Sequence, residues 1–441
     1  MDGTKRELAP LYRRLPHGPH GLERETVARH QRTRLFGAMI ESVAQRGYAG
    51  TTVAHVVALA GVSRRAFYEQ FSNKEHCFLA THDIVVARCH KRVLDAWLSH
   101  RGWANRLRAS CQAYLDDVAL ESKGAHLVLV DSLGIGRKAR ERLHRSAAIY
   151  ERIVATGFSV APDGIVLPPL APRAIVGGMR YVAFTRIRAG RERELAGLAE
   201  ELLDWIDCYR SPAAARLCAL GVHDAPVAVA APTSAPAPFL RGEDRRSRAL
   251  QALTELTREH GYTRLSDPQI AQLAGMSTEA FHRQFANKQE CFFAVLDEFT
   301  TAVLGSVGEA AAEAGSWPEA VLLGMGALAR QLAANPMLTR MAFADLFELG
   351  PGMVDRSSES IASLAQLFTA GAPEAHWGPT IAAEAITGAL WELASSHVAR
   401  NESQRLPAVA DHLAFIVLAP YIGAEGAVET IERHAPERVA A

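Results

Sequence analysis

Residues 52–71 read TVAHVVALAGVSRRAFYEQF, and this stretch contains the start and stop signals of two short helices. Thr52 is a good N-cap because its hydroxyl can accept a backbone N–H from the first turn, so a helix is predicted over residues 53–60. Gly61 then permits a sharp turn, since glycine adopts a positive φ at little cost. The first half of the stretch therefore predicts a helix that stops at a tight turn.

The second helix is predicted over residues 64–71, with Ser63 as its N-cap. Phe67 and Phe71 are four residues apart and therefore share the face that turns toward a core. The other faces carry the polar side chains Arg64, Arg65, Tyr68 and Glu69. A short helix, a glycine turn and a helix with a basic start form a helix-turn-helix, whose second helix enters the major groove of DNA.

The polar side chains of this second helix suit different contacts with DNA. Arg64 and Arg65 can each donate two hydrogen bonds to guanine O6 and N7, which discriminates between bases by roughly 1–3 kcal/mol. Tyr68 and Lys74 suit phosphate contacts, which orient a protein on DNA without reading sequence. Residues 72–75, SNKE, have the spacing of a capping box for the next helix.

The chain contains this pattern twice. Residues 47–86 and 261–300 align without a gap at a constant offset of 214, and 16 of the 40 aligned positions are identical. Residues 222–240, rich in alanine and proline, separate the copies, because repeated prolines block helix continuation. The predicted segments are a basic arm at 1–28, a helix-turn-helix head at 29–84, a helical body at 85–212, a linker at 213–240, a second head at 241–298 and a second body at 299–430.

Outside the two motifs, apolar residues recur with a helical period, as they do at Leu35, Met39 and Val43. Residues 126–133, HLVLVDSL, fit a short buried strand or a buried helix, and their helical surroundings favour the helix. We therefore expect an all-α chain made of two tandem units.

Residues 47–80, GYAGTTVAHVVALAGVSRRAFYEQFSNKEHCFLA, resemble the DNA-binding segment of the tetracycline-repressor (TetR) family at many positions across three helices. In each copy, the resemblance implies a three-helix DNA-binding head and a helical body for effector binding and dimerisation. It places the DNA contacts on Thr52, Ser63, Arg64, Arg65, Tyr68 and Lys74. Family members often have a small residue where this chain has Arg65, so we expect Arg65 to widen or shift the base contacts.

Charge supports DNA binding by the first copy, although the whole chain has a formal net charge of zero. Residues 1–80 hold 12 Lys/Arg against 7 Asp/Glu, and Arg29, Arg32 and Arg34 cluster on the first helix. Such a patch binds phosphates with an affinity that falls with salt. The arm at 1–28 either reaches the DNA or is a disordered tail.

The second head keeps the apolar pattern and loses the basic surface. Thr278 and Glu279 replace the two arginines, and residues 241–300 hold 8 Lys/Arg against 9 Asp/Glu. Its candidate contacts are Ser266, Ser277, Thr278, His282 and Lys288. A retained fold with weakened DNA affinity and a second working reader both stay open, since glutamate can accept a hydrogen bond from cytosine N4.

The resemblance also implies an unknown small-molecule effector and a two-fold dimer. Aromatic residues are candidates for an effector pocket, although plain core packing is the favoured alternative for each: Trp97, Trp103, Phe158, Tyr181 and Phe184 in the first body, and Trp317, Phe343, Phe347, Trp377 and Trp391 in the second. The late helices around 174–209 and 385–421 can pair within one chain as a pseudo-dimer, or two chains can form a homodimer.

Other classes of protein find little support in the sequence. The six cysteines form no CxxC pair, and no set of ligands or nucleophiles predicts a metal, a cofactor or an enzyme. No run approaches 18 apolar residues, and the N-terminus lacks the apolar core of a signal peptide. We therefore expect a cytoplasmic transcriptional repressor that binds a double-stranded DNA operator and no membrane.

Overall fold

The computed structural model describes residues 24–165, 167–219, 237–349, 363–364, 366–373 and 379–439, and every regular element in these ranges is helical. The all-α prediction is therefore confirmed. The predicted arm falls outside the described residues up to residue 23, and so do residues 220–236 of the predicted linker. Residues 214–219, at the start of that linker, are helical.

The first copy contributes ten helices to the described residues. They are α1 (Arg24–Gly50), α2 (Val53–Ala60), α3 (Arg64–Tyr68), α4 (Lys74–Ser99), α5 (Trp103–Leu120), α6 (Ser122–Leu129), α7 (Arg137–Ser159), α8 (Ala171–Arg188), α9 (Ala199–Asp207) and α10 (Ala214–Ala219).

The second copy repeats this order. Its described helices are α11 (Arg245–His260), α12 (Asp267–Leu273), α13 (Thr278–His282), α14 (Lys288–Ala312), α15 (Trp317–Ala334), α16 (Pro336–Phe343), α17 (Pro379–Ala399) and α18 (Ala410–Val439).

The 214-residue offset extends from the heads into the bodies. Helices α5 and α15 begin and end at equivalent positions, and the turns that follow α6 and α16 begin at equivalent positions. His126 lies 2.8 Å from Asp131, and Arg340 pairs with Asp345 at 3.2 Å at the equivalent positions. Residues 126–133 belong to α6 and a 3-10 turn, so the helical interpretation of that apolar run is confirmed.

The chain divides into two compact units whose limits differ from those of the copies. Unit 1 comprises residues 1–146 and 183–197, and unit 2 comprises residues 147–182 and 198–441. Unit 1 contains the first head and the front of the first body. Unit 2 contains the whole second copy together with the later helices of the first.

The core of unit 1 joins the first head to its own body. Leu35 and Met39 of α1 are fully buried beside Phe67 and Phe78, and α6 adds Leu127 to the same cluster. Full burial of such a side chain contributes roughly 1.5–3 kcal/mol, so these contacts set the rotation of the short helices. The apolar periodicity of α1 therefore predicts correctly which face of the helix is buried.

Within unit 2, helices α8 and α17 cross at two glycines. A Cβ at Gly177 would lie 2.8 Å from the carbonyl oxygen of Gly388, and a Cβ at Gly388 would lie 2.6 Å from the carbonyl oxygen of Gly177. The two positions are equivalent in the repeat, because AIVGG at 174–178 matches AITGA at 385–389. The crossing is therefore reciprocal, as in a two-fold interface.

Polar and aromatic contacts extend this interface. Arg180 of α8 pairs with Glu392 of α17 at 2.8 Å, and both side chains are largely buried. The Tyr209 hydroxyl donates to the carbonyl oxygen of Ile416 at 3.0 Å, and the Tyr209 ring packs on Phe415. The predicted pairing of the late helices is therefore present inside one chain.

Two long helical segments are apolar enough to pass a membrane-span test by length and hydropathy. They are Lys288–Ala312, with a mean hydropathy of 1.4, and Ser403–His434, with a mean hydropathy of 1.5. The apolar windows are 44% and 67% buried inside the fold, which is also typical of core helices. They are weak indications of a membrane span.

Candidate DNA-binding site

The first helix-turn-helix begins where Thr52 caps α2. The Thr52 hydroxyl accepts a hydrogen bond from the N–H of His55 at 3.2 Å, and α2 ends at Ala60, so both predicted limits are confirmed. Gly61 follows with a φ of +61°, in the left-handed region that favours glycine. A Cβ at this position would lie 2.6 Å from Nη2 of Arg34, so a larger residue would have to displace that guanidinium.

The second helix of the motif, α3, is fixed at its start and on one face. Ser63 is its N-cap, as predicted, and its hydroxyl accepts a hydrogen bond from the N–H of Ala66 at 3.1 Å. Phe67 is fully buried, so the opposite face of α3 turns outward. Arg64 and Arg65 are exposed on that face, and the Arg65 side chain is 89% exposed.

Tyr68 and Glu69 complete the exposed surface of this motif. Tyr68 is 56% exposed, and its ring packs edge-on against Phe67 at a centroid distance of 5.3 Å. Glu69 accepts a hydrogen bond from Nε of Arg65 at 2.9 Å. Exposed ion pairs of this kind contribute at most about 1 kcal/mol, so the guanidinium can exchange Glu69 for a base edge at little cost.

Two predicted boundaries beside α3 are wrong. The helix ends at Tyr68 instead of Phe71, although the N–H of Phe71 still donates to the carbonyl oxygen of Phe67. The cap of α4 is Asn73, whose side-chain oxygen accepts the N–H of His76 at 2.8 Å, instead of the capping box predicted over 72–75. The cause is local, because Nδ1 of His76 accepts a hydrogen bond from the backbone N–H of Ser72, the residue before Asn73.

Three basic residues predicted to contact DNA make specific contacts within the head. Arg34 donates to the carbonyl oxygen of Gly61 at 3.0 Å, and the Arg32 guanidinium lies 5.1 Å from the ring centre of Phe71. Lys74 donates to the carbonyl oxygen of Tyr48 at 2.9 Å and lies 4.1 Å from the Tyr48 ring centre. Partial burial lowers the pKa of Lys74.

The equivalent basic residues of the second head make similar contacts, although the acceptor of Arg248 is one residue earlier than the equivalent of Gly61. Arg248 donates to the carbonyl oxygen of Ala274 at 3.0 Å, and Arg246 lies 5.1 Å from the ring centre of Phe285. Lys288 lies 4.7 Å from the ring centre of Tyr262 and donates to a nearby carbonyl oxygen. Because a head without the exposed arginine pair keeps these contacts, they serve the head's fold in both copies.

The exposed face of the second motif differs in chemistry. Ser277 caps α13 through the N–H of Ala280 at 3.2 Å, as Ser63 does in the first copy. Hydrogen bonds from its own backbone and from Ser277 lower the pKa of Glu279, which is therefore ionised at neutral pH. His282 lies 3.0 Å from Asp267, so the residue that replaces Tyr68 faces a carboxylate.

The N-terminal cap of the second motif differs from Thr52 in its details. Ser266 and Gln269 form a capping box before α12, and the backbone N–H of Ser266 donates to the Gln269 side chain at 2.9 Å. Asp267, the first residue of α12, accepts the backbone N–H of Lys288 at 3.0 Å. The second head is therefore well capped, and its difference from the first lies in the exposed residues of α13.

An apolar cavity of about 130 Å³ lies in unit 2, within the second body. Its walls come from α14, α15, α16 and α17 and include Leu296, Leu328, Leu332, Phe343, Leu390 and Trp391. Phe343 and Trp391 are stacked at a centroid distance of 4.6 Å. Two aromatic residues predicted for a second-body pocket thus line a cavity, whereas Trp377 lies outside the described residues.

The other aromatic candidates are placed in several ways. Phe347 packs edge-on against Trp391, and Trp317 donates to the carbonyl oxygen of Phe368 at 3.0 Å. Phe158 is fully buried, as a core residue is. Among the described residues, no group of three or more His, Cys, Asp or Glu side chains is arranged to hold a metal ion.

A capped helix, a left-handed glycine turn and an outward-facing helix define a helix-turn-helix DNA-binding protein. The family model described as "Bacterial regulatory proteins, tetR family" matches the sequence twice, at residues 38–81 and 249–295. The two matches cover the two heads and confirm the tandem arrangement. Both heads are therefore DNA-binding domains of the tetR-family type.

Several solved structures are similar to part of the chain. The fatty acid degradation regulator FadR from Bacillus halodurans is 15% identical over 40% of this chain and 94% of its own, with a TM-score of 0.37. FadR from Bacillus subtilis, solved in complex with stearoyl-CoA, is 16% identical over 39% of this chain and 96% of its own, with a TM-score of 0.36. A TetR-like regulator from Rhodococcus sp. RHA1 is 19% identical over 43% of this chain and 96% of its own, with a TM-score of 0.34. No curated protein matches the chain.

Proposed function

We propose that this regulator reads a specific operator with its first head. The single observation that carries the proposal is the pair Arg64 and Arg65, exposed at the start of a helix whose buried face is fixed by Phe67. Two bidentate contacts to guanine supply roughly 1–3 kcal/mol of discrimination each. Tyr68 is exposed beside them and suits a phosphate contact.

The remaining predicted contacts have different roles in this proposal. Thr52 and Ser63 cap α2 and α3 and so fix where the two helices begin. The backbone beside each cap is available to contact DNA phosphates. Arg32, Arg34 and Lys74 position the motif, since the second head keeps the same internal contacts. The set that reads base edges is therefore Arg64 and Arg65.

We further propose that the second head binds DNA weakly. A carboxylate at Glu279 takes the place of Arg65 and repels phosphates, and Thr278 offers one hydroxyl where Arg64 offers a planar guanidinium. Ser266, Ser277, His282 and Lys288 then maintain the fold of that head. An operator read by such a pair is asymmetric, with one strongly specified half-site.

The two copies form their dimer within a single chain in this proposal. The reciprocal Gly177–Gly388 crossing and the Arg180–Glu392 pair supply a two-fold interface between the first copy and the second. The chain acts in the cytoplasm as a repressor that covers its operator. A small apolar effector in the second body weakens that binding.

Selection of DNA from a random-sequence library by the full chain tests the proposed function. We expect a single enriched motif with one strongly specified half and one weak half. Enrichment of no sequence contradicts specific DNA binding. Enrichment of a perfect palindrome contradicts the weak second head while leaving the DNA-binding function intact.

A further inference from the structure

We infer that effector sensing and DNA reading are divided between the two copies. The second copy takes an uncharged, ring-bearing apolar ligand in its cavity, and the signal reaches the first copy where α17 crosses α8. The inference rests on the proposed function, because it concerns how operator binding by Arg64 and Arg65 is regulated.

The chemistry of the cavity selects the class of ligand. Its walls are aliphatic and aromatic, and the stacked rings of Phe343 and Trp391 offer a flat surface to another ring. Of the polar residues at the cavity, Asp297 is exposed and Thr300 half-buried, and the hydroxyl of the buried Thr387 already donates to the carbonyl oxygen of Ala383. An apolar cavity of about 150 Å³ can hold benzene, whereas a charged ligand would lose its hydration there without compensation.

Several equivalent positions of the first copy carry polar groups. The offset of 214 pairs Leu328 with Tyr114, and it pairs Leu296 with His82, which is buried. The offset of 211 that relates the later helices pairs Trp391 with Arg180. These replacements put polar groups at several of the wall positions, whereas others, such as Val118 and Leu129, stay apolar.

Each copy has therefore changed a different feature. The first copy keeps the two arginines of α3 and carries polar side chains at several positions equivalent to the cavity walls. The second copy keeps an apolar cavity and carries Thr278 and Glu279 on its exposed motif. These two observations are independent of each other, and both indicate a sensing copy joined to a reading copy.

Helix α17 links the cavity to the first copy because one of its faces lines the cavity and another crosses α8. Thr387, Leu390 and Trp391 line the cavity, whereas Gly388 and Glu392 contact Gly177 and Arg180 of α8. The backbones touch at the crossing, so a small shift of α17 cannot be absorbed there. Packed elements of this kind switch between discrete arrangements.

Helix α8 belongs to the first copy, and its residues from 183 onward belong to unit 1, which contains the first head. A ligand that favours one position of α17 therefore biases the helix that leads into the reading unit. By linkage, DNA bound to the first head must change ligand affinity by the same factor.

The test uses the full chain, a fluorescent operator fragment and benzene as the cavity probe, with binding of the probe followed by isothermal titration calorimetry. We expect one probe per chain and a shift in operator affinity of about 5-fold or more, the usual range of allosteric coupling. The L328Y variant imports the residue of the first copy and should lose the probe. Its matched control, Y114L, should keep both binding and coupling.

A third variant separates binding of the probe from transmission of its effect to the first head. E392Q leaves the cavity walls in place and removes the charge that Arg180 pairs with, so the probe should still bind while the shift in operator affinity shrinks. Because L328Y could unfold the second body, T300W at the half-buried rim provides a second block of the cavity, and thermal melts verify both variants.

Three results overturn the inference: wild type fails to bind the probe, L328Y and T300W bind it undiminished, or bound probe leaves operator affinity unchanged. Loss of operator binding by wild type without probe would instead overturn the proposed function. The two failures are therefore distinguishable in one set of titrations.

Discussion

Gly177 of the first copy and Gly388 of the second are in mutual backbone contact, each lying where a side chain on the other helix would need to be. The contact is symmetric in space although the two residues are 211 positions apart in the chain. The contact joins the late helices of the two copies within unit 2.

A methyl group at this crossing should destabilise the protein. We expect G177A or G388A to lower the free energy of unfolding by roughly 1–3 kcal/mol, because the added Cβ overpacks against a carbonyl oxygen that cannot move far. G305A is the matched control, since Gly305 lies in helix α14 with open space around its Cβ position. Chemical denaturation monitored by circular dichroism measures all three, and a control as unstable as G388A would contradict the account.

Arg34 and Arg248 should have equal structural roles despite the different functions of their heads. Each donates to a backbone carbonyl at the helix-turn-helix turn, at 3.0 Å in both copies. We expect R34Q and R248Q each to lower stability by about 1 kcal/mol, the usual net value of such a hydrogen bond. Only R34Q should also weaken operator binding. A strong effect of R248Q on operator affinity would show that the second head reads DNA.

The second head should acquire DNA affinity when its exposed residues are exchanged. Its helices are capped as in the first copy, so the triple variant T278R/E279R/H282Y should fold and present the same groups as Arg64, Arg65 and Tyr68. We expect tighter binding to an operator made of two first-copy half-sites, with a steeper dependence on salt because more phosphates are contacted. Fluorescence anisotropy at several salt concentrations measures both quantities, and unchanged affinity would place the difference between the heads elsewhere.

Acid should destabilise the protein through His412. Burial lowers the pKa of His412 to about 4 from the ordinary histidine value of 6.5, and no described residue hydrogen-bonds to either ring nitrogen. Between these two pH values the unfolded chain binds more protons than the folded one, so stability is full above pH 6.5 and falls as the pH decreases toward 4. The loss amounts to roughly 3 kcal/mol for this group.

The H412L variant tests the role of His412 directly. It removes the titrating ring and its unsatisfied nitrogens, so we expect equal or greater stability at pH 8 and a shallower decline toward pH 4. Melting temperatures measured across this range report the difference. Parallel curves for wild type and H412L would show that other groups cause the acid sensitivity.

Local features of the fold could be predicted from the sequence because capping and turn formation depend on neighbours in the chain. Thr52, Ser63 and Gly61 occupy their predicted positions for this reason. The cap at Asn73 was misplaced by one residue because the side chain of His76 competes for the same turn. Capping rules do not include such a side-chain contact.

Features that depend on tertiary packing were harder to predict. Lys74 resembles an exposed phosphate ligand in the sequence, yet the fold brings Tyr48 over its ammonium group. The similarity of the segments at 174–178 and 385–389 indicated a shared role for the late helices, but it did not show that two glycines meet. The cavity depends on four helices at once, and no single segment of the sequence indicates it.

The most direct test of the central claim compares two double variants on the selected operator. R64A/R65A removes both proposed base-reading groups, and T278A/E279A makes the equivalent change in the second head. Since each bidentate contact discriminates by roughly 1–3 kcal/mol, R64A/R65A should lose at least about 30-fold in specific affinity with its melting temperature unchanged. T278A/E279A should bind the operator as wild type does or more tightly. Undiminished specific binding by a folded R64A/R65A chain would contradict the account.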